Sequence, residues 1–210
     1  MWTGTENQII FYFIRHGKTP GNSEGRYIGR TDEGLSEEGI LELKQKKLDV
    51  EFEYVFSSPM RRCTESAKIL TGKKIETIEA FKEIDFGDFE GKNYKELADN
   101  TDYQKWIDSN GTMPFPGGEE LSHFKERTVR AFFQIMDMVE ARLSDMHQKP
   151  DAGKPTRVAV IVHGGTIMAV LERLFLGEYY SYQVKNAEGY VFTVSRQNEK
   201  EWQFSDLRRC

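Results

Sequence analysis

Short apolar runs that alternate with helical patterns predict an α/β fold, a three-layer sandwich built on a mostly parallel central sheet. Ile9–Ile14, Tyr54–Phe56 and Val158–Val162 are brief and apolar enough to be strands buried on both faces. Each gives way to small polar or glycine residues and then to a helical pattern. The length of 210 residues fits one domain spanning 1–210, long enough to enclose a substantial core.

The helices announce themselves by their ends and their faces. Ser36 is placed to cap a helix whose first turn carries Glu37 and Glu38, and Ser58-Pro59 reads as an N-cap followed by proline at the first helical position. The longest helix is expected from near Glu119 to about Met146, with Leu121, Phe124, Phe132, Met136, Val139 and Leu143 near one face. Gln148–Thr156, with two prolines and a glycine, reads as a connecting loop. Tyr190–Ser195 and Trp202–Phe204 close the chain as an antiparallel pair.

Composition removes several classes of function. A formal net charge of −5 and a pI near 5.5 argue against a broad basic face for nucleic acid or an anionic membrane, while leaving room for a local cationic pocket. Lys44-Gln45-Lys46-Lys47 and Lys73-Lys74 read as solvated surface. The two cysteines, Cys63 and Cys210, cannot make a disulfide framework, so a reducing, cytoplasmic setting is expected. The run Ile9–Ile14 is too short for a signal-peptide core or a membrane span, and no later stretch is long enough either.

In an open parallel sheet, ligands gather outside the carboxyl ends of the strands. Those ends carry Arg15-His16-Gly17, Ser57-Ser58-Pro59-Met60-Arg61-Arg62 and His163-Gly164-Gly165. A phosphate monoester is a dianion near neutral pH, and a site that reacts with it must supply positive charge and fixed donors. Arg15, Arg62 and a protonated His163 are expected to do so, with the N–H groups of Gly164 and Gly165 at a helix start. A neutral imidazole at His16 is then a nucleophile that needs no metal, provided its other nitrogen donates to a backbone carbonyl. Glu83 is the candidate acid for the leaving alkoxide if an apolar neighbourhood keeps it protonated. No metal or cofactor is expected. His123 and His147 lack metal-ligand spacing with any other His or Cys. Cys63 reads as a small buried hydrophobe, and Arg61 and Lys18 read as charges at the rim.

The motifs together resemble the histidine phosphatase superfamily, in the branch that holds cofactor-dependent phosphoglycerate mutases, fructose-bisphosphatases and alpha-ribazole phosphatases. The resemblance spans Ile9 to about Val194 and rests on motifs in order: Arg15-His16-Gly17 with Asn22, Gly29 with Leu35-Ser36-Glu37-Glu38-Gly39, Ser57–Arg62, Glu83 with Gly87, Glu90 and Gly91, and His163-Gly164-Gly165. It implies a phosphoglycerate mutase-like fold and places Arg15, Asn22, Gly29, Arg62, His163 and Gly164 at the phosphate. His16, Glu83, His163, Arg15 and Arg62 become the catalytic set. It also implies a lid in the excursion around 84–118, where Trp106 and Phe115 serve either as lid or as plain packing. Lys18 and Met168 depart from the family pattern at positions expected to stand clear of the chemistry, and Glu120 replaces a common serine.

Mutases of this family carry a long insertion between the glutamate and the second histidine. Here that interval is 80 residues, and the Phe86–Gly91 run resembles alpha-ribazole phosphatases. The expected activity is hydrolysis of a small phosphorylated metabolite, with alpha-ribazole phosphate as one substrate that fits. Alternatives are a phosphoglycerate mutase or a non-catalytic phosphate-binding protein of the same fold. No nucleic acid or membrane partner is expected, and a homodimer is compatible with the sequence.

Overall fold

The computed structural model describes residues 8–46, 48–145, 154–198 and 201–210. In chain order the elements are β1 (Ile9–Arg15), α1 (Pro20–Ser23), α2 (Glu37–Gln45), β2 (Tyr54–Ser57), α3 (Arg61–Thr71), β3 (Glu76–Thr77), α4 (Thr101–Asp108), α5 (Leu121–Asp145), β4 (Thr156–Val162), α6 (Gly164–Phe175), β5 (Gly189–Asn198) and β6 (Glu201–Arg209). The sheet runs β3-β2-β4-β1-β5-β6. Its first four members are parallel, and β5 and β6 form the antiparallel edge. The fold is the mixed α/β sandwich that the sequence predicts.

Side-chain alternation along the strands divides the core into two layers. Ile9, Phe11 and Phe13 of β1, with Val158, Val160 and Val162 of β4, face α5 and α6. Tyr12 and Ile14, with Ala159 and Ile161, face the other way, toward Cys63 and Ala67 of α3 and toward Phe52. The α5 face meets the first layer through Ala131, Phe132, Ile135, Met136 and Val139, at the spacing of a helical stripe. A third cluster joins Ile84, Phe89, Leu97, Tyr103 and Phe115 to Phe124, Ala169 and Tyr179.

Ser36 caps α2 by accepting from the Gly39 N–H, as the sequence predicts. The expectation for α3 needs correction. Met60 is its N-cap and Pro59 lies before the helix, because the Ser58 hydroxyl sits 2.8 Å from the His163 ring instead of serving the first turn. His147 and most of the expected Gln148–Thr156 loop lie outside the described residues. Among the described residues, no helix is long and apolar enough to cross a membrane.

Phe132 joins the two halves of the first layer, with ring centroids 5.3 Å from Phe11, 5.6 Å from Phe13 and 6.0 Å from Phe192. Phe132→Ala should therefore lower unfolding free energy by about 3–5 kcal/mol, the span for a fully buried aromatic, measured by urea denaturation.

Candidate active site

The carboxyl ends of β1, β2 and β4 stand side by side in the sheet, and pairing continues one residue beyond them. The His16 N–H donates to the Val162 carbonyl at 2.9 Å, and the Ser58 N–H to the Ile161 carbonyl at 3.0 Å. This continuation brings His16, Ser58 and His163 together. The two imidazoles lie edge to face, 5.2 Å between centroids.

The His16 tautomer follows from its partner. Nδ1 is 2.8 Å from the Gly17 carbonyl, which can only accept, so Nδ1 carries the proton and Nε2 keeps its lone pair. Burial, followed by the positive fields of Arg62 and Arg15, pushes the His16 pKa well below its ordinary value. His163 is shifted the same way by burial, then by Arg62, His16 and Arg15. These causes favour the neutral form of His163 in the free site, where the sequence pointed to a cation. A bound dianion would oppose that shift.

Arg62 is fully buried, and backbone carbonyls hold its guanidinium. Nη1 donates to Thr31 at 2.8 Å, and Nη2 to Gly29 at 2.9 Å and Ile28 at 3.4 Å. Arg15 donates from Nη1 to the Val184 carbonyl at 2.9 Å, and burial is the main cause of its lowered pKa. The buried Nε atoms of both arginines have no hydrogen-bond partner. Two buried cations thus keep donors unused, which suits an incoming anion.

Gly29, expected at the phosphate, has its N–H engaged within the protein. The Glu90 carboxylate takes it and also accepts from the Thr31 N–H. A Cβ at Gly29 would lie 2.2 Å from the Ile84 carbonyl oxygen, so only glycine fits there. Glu90 and Gly29 thereby aim the carbonyls that grip Arg62. Gly165 needs a similar correction, since its N–H points to Glu83 Oε2 at 3.3 Å. Gly164, Gly165 and Asn22 line the cleft, whereas Arg62 and His163 are fully buried and do not.

Glu83 is buried, and burial is the chief cause of its raised pKa, opposed by the Ile84 N–H and by Arg62 and Arg15. Arg127, which sequence reasoning missed, fixes its backbone by donating to the carbonyls of Ala80, Lys82 and Glu83. The signal was an arginine beside the apolar stripe of α5, next to the buried Thr128. Asn186 was also missed. It donates to the His16 carbonyl at 3.2 Å and to Asn22 Oδ1 at 3.0 Å from a loop without any periodicity to reveal it.

The cleft above His16 encloses about 350 Å³. Its lining combines polar side chains, Arg15, Asn22, Arg26 and Gln183, with an aromatic set, Tyr27, Phe86, Trp106, Phe115, Tyr179 and Tyr180. Met168, expected clear of the chemistry, belongs to this lining, while Lys18 is held outside by Glu38 at 2.6 Å. Among the described residues, no group of three or more His, Cys, Asp or Glu is placed to hold a metal ion.

The sequence profile of the histidine phosphatase superfamily (branch 1) matches residues 11–207. The chain belongs to this superfamily. Phosphoglycerate mutase-like protein 4 of Arabidopsis thaliana is 30% identical over 171 residues, which cover 76% of this chain and 68% of that protein. The adenosylcobalamin/alpha-ribazole phosphatase of Escherichia coli is 26% identical over 172 residues, covering 78% and 77%. A mutant phosphoserine phosphatase from Entamoeba histolytica, crystallised with phosphoserine, superposes with a TM-score of 0.69 over 96% of each chain, and at 23% identity this shows a shared fold. The histidine phosphatase relatives differ in the substrates their names carry, so membership fixes the chemistry more tightly than the substrate.

The buried titratable groups of this superfamily member predict its response to acid. His16 and His163 have folded pKa values below their ordinary 6.5, so between those values and 6.5 the unfolded chain binds more protons. Stability is present above that range and is lost as pH falls, by up to about 1.4 kcal/mol per pH unit for each histidine. Glu83, with a raised folded value, works in the opposite sense: its contribution is present in acid and lost as pH rises. His163→Asn should flatten the acid slope and Glu83→Gln should steepen it, measured by denaturation between about pH 5 and 7.5.

Proposed function

We propose that the protein hydrolyses small phosphomonoesters through a phosphohistidine formed at His16 Nε2. The observation that carries this reading is the His16 tautomer: an Nε2 lone pair left free, in a site where Arg15 and Arg62 keep unused Nε donors. The arginines supply the charge that a metal would otherwise provide.

Arg15, Arg62, Asn22, His163 and the Gly164 N–H hold the phosphoryl oxygens. His16 Nε2 then attacks phosphorus in line, the bond from phosphorus to the ester oxygen breaks, and the Glu83 proton goes to the departing oxygen. The Gly17 carbonyl stabilises the positive charge that appears on the ring. In the second step water attacks the phosphohistidine, Glu83 takes back a proton, and free phosphate leaves.

The aromatic set in the cleft lining favours an ester whose alcohol carries a flat ring, and buried Trp106 Nε1 offers that ring an unused donor. Alpha-ribazole phosphate has this form, and the name of the Escherichia coli relative supports it as substrate. Glu83 weighs against a pure phosphate binder, because binding alone needs no buried proton donor.

Rapid quench with labelled substrate, in the presence of chelator, should trap a phosphoenzyme that is labile in acid and stable in base. His16→Ala should abolish it together with nearly all turnover, without loss of fold; turnover that survives in the variant would contradict the assignment.

Glu83→Gln should be selective. Phosphorylation by alkyl phosphates should fall by roughly two to four orders of magnitude, the span of general acid catalysis. The loss with p-nitrophenyl phosphate should be distinctly smaller, because its leaving group needs no proton. Equal losses in that step would make Glu83 a positioning residue.

A further inference from the structure

Beside the cleft lies a larger cavity, of about 820 Å³, that the proposed reaction leaves unused. Arg15 and Gln183 line both spaces, so the two are neighbours with these side chains in common. The second cavity gathers five cationic side chains, Arg15, Lys18, Lys46, Lys185 and Arg209, against the carboxylates of Glu42 and Glu188. This positive excess is local, because the chain as a whole carries −5.

Of these cations, Lys18 is spent on carboxylates, while Arg15, Lys185 and Arg209 have no carboxylate bonded to them among the described residues. Lys18 is met by Glu38 at 2.6 Å and Glu42 at 3.6 Å. Lys46 Nζ donates instead to the Ala187 carbonyl at 2.6 Å. Arg15 and Arg209 donate to the carbonyls of Val184 and Gln183. Neutral carbonyls satisfy hydrogen bonds without cancelling a charge. The same contacts fix the 183–188 loop, in which Ala187 holds φ at 61°, a left-handed value that a non-glycine residue adopts only when its surroundings impose it. The wall is thus built and held.

The leaving group cannot use this cavity. In-line attack sends the departing oxygen away from His16 and toward Glu83, and neither residue lines the second cavity. A single phosphate would leave most of the volume and most of the cations unmet, whereas the size lies within the range of small-ligand sites.

We propose that this cavity binds a multiply charged phosphorylated anion, of the di- or triphosphate class, as an effector. Negative charge on the far side of Arg15 weakens the hold of that guanidinium on the substrate phosphate, so the effector raises KM while both ligands are bound. The effect on KM rests on Arg15 being a phosphate ligand, as proposed above; binding itself does not.

Inorganic tripolyphosphate is the probe, titrated by calorimetry at about 0.15 M salt, where charges farther than about 8 Å are largely screened. Lys185→Glu should weaken binding, and the Lys185→Glu, Arg209→Glu double variant should weaken it at least about tenfold, since both reverse charges at the cavity wall. Turnover of p-nitrophenyl phosphate without tripolyphosphate should stay within about twofold of wild type, because neither residue touches the reacting atoms. In wild type, inhibition should reach a plateau as a ternary complex fills. No binding to wild type, or equal affinity in wild type and the double variant, overturns the site. So does strictly competitive inhibition with the same constant in both, which places tripolyphosphate in the catalytic cleft. Binding that depends on Lys185, in a protein without any turnover, would uphold the anion site and sink the hydrolytic reading instead.

Discussion

Everything at the carboxyl end of the sheet depends on holding the fully buried Arg62 and the half-buried Arg15 without a carboxylate bonded to either. Such burial is costly unless dipoles replace the lost water. Backbone carbonyls do so here, from Ile28, Gly29 and Thr31 for Arg62 and from Val184 for Arg15. Those carbonyls must be held in turn, and Glu90 holds two of the residues through their N–H groups. Ser66 adds another tie, accepting from the Gly17 N–H and donating to the Arg62 carbonyl. Because dipoles rather than anions offset the cations, a net positive field remains. Burial first and that field second push the pKa of both His16 and His163 down.

The sheet and the clustering of candidate residues at its strand ends were legible because they obey short rules. Apolar runs marked β1, β2 and β4, and the rule that ligands sit at strand ends pointed to Arg15, His16, Arg62 and His163. What stayed hidden depends on partners far away in sequence. Ser58 resembled a helix cap because nothing nearby shows that His163, 105 positions on, takes its hydroxyl. Gly29 looked like a phosphate ligand because its motif position was visible while the Glu90 carboxylate against its N–H was not. Asn186 lies in irregular chain, where no period separates a functional amide from a solvated one.

The architecture separates chemistry from recognition. Reacting groups stand on the ends of central strands, where the packed layers allow little movement. The aromatic wall comes largely from elsewhere: Tyr27 lies after α1, Phe86, Trp106 and Phe115 lie between β3 and α5, and Tyr179 and Tyr180 follow α6. Those rings pack on one another, as with Trp106 and Phe115 at 5.2 Å between centroids and Tyr103 and Trp106 at 6.1 Å. The wall can change its shape through substitutions that leave the strand ends untouched, which is how relatives of one fold come to differ in substrate.

The sheet order also sets when this protein can begin to fold. β4 inserts between β1 and β2, yet it is made after both, as residues Thr156–Val162. During synthesis β1 has no neighbour to join it and β2 has only the two-residue β3, so the apolar edges that will take β4 stay open until the last quarter of the chain is made. Pairing over such separations is slow, and exposed strands of this kind are what chaperones on the ribosome recognise. The nascent chain therefore passes most of its synthesis without a core, then acquires sheet, catalytic histidines and phosphate site almost together once a single strand slots into place.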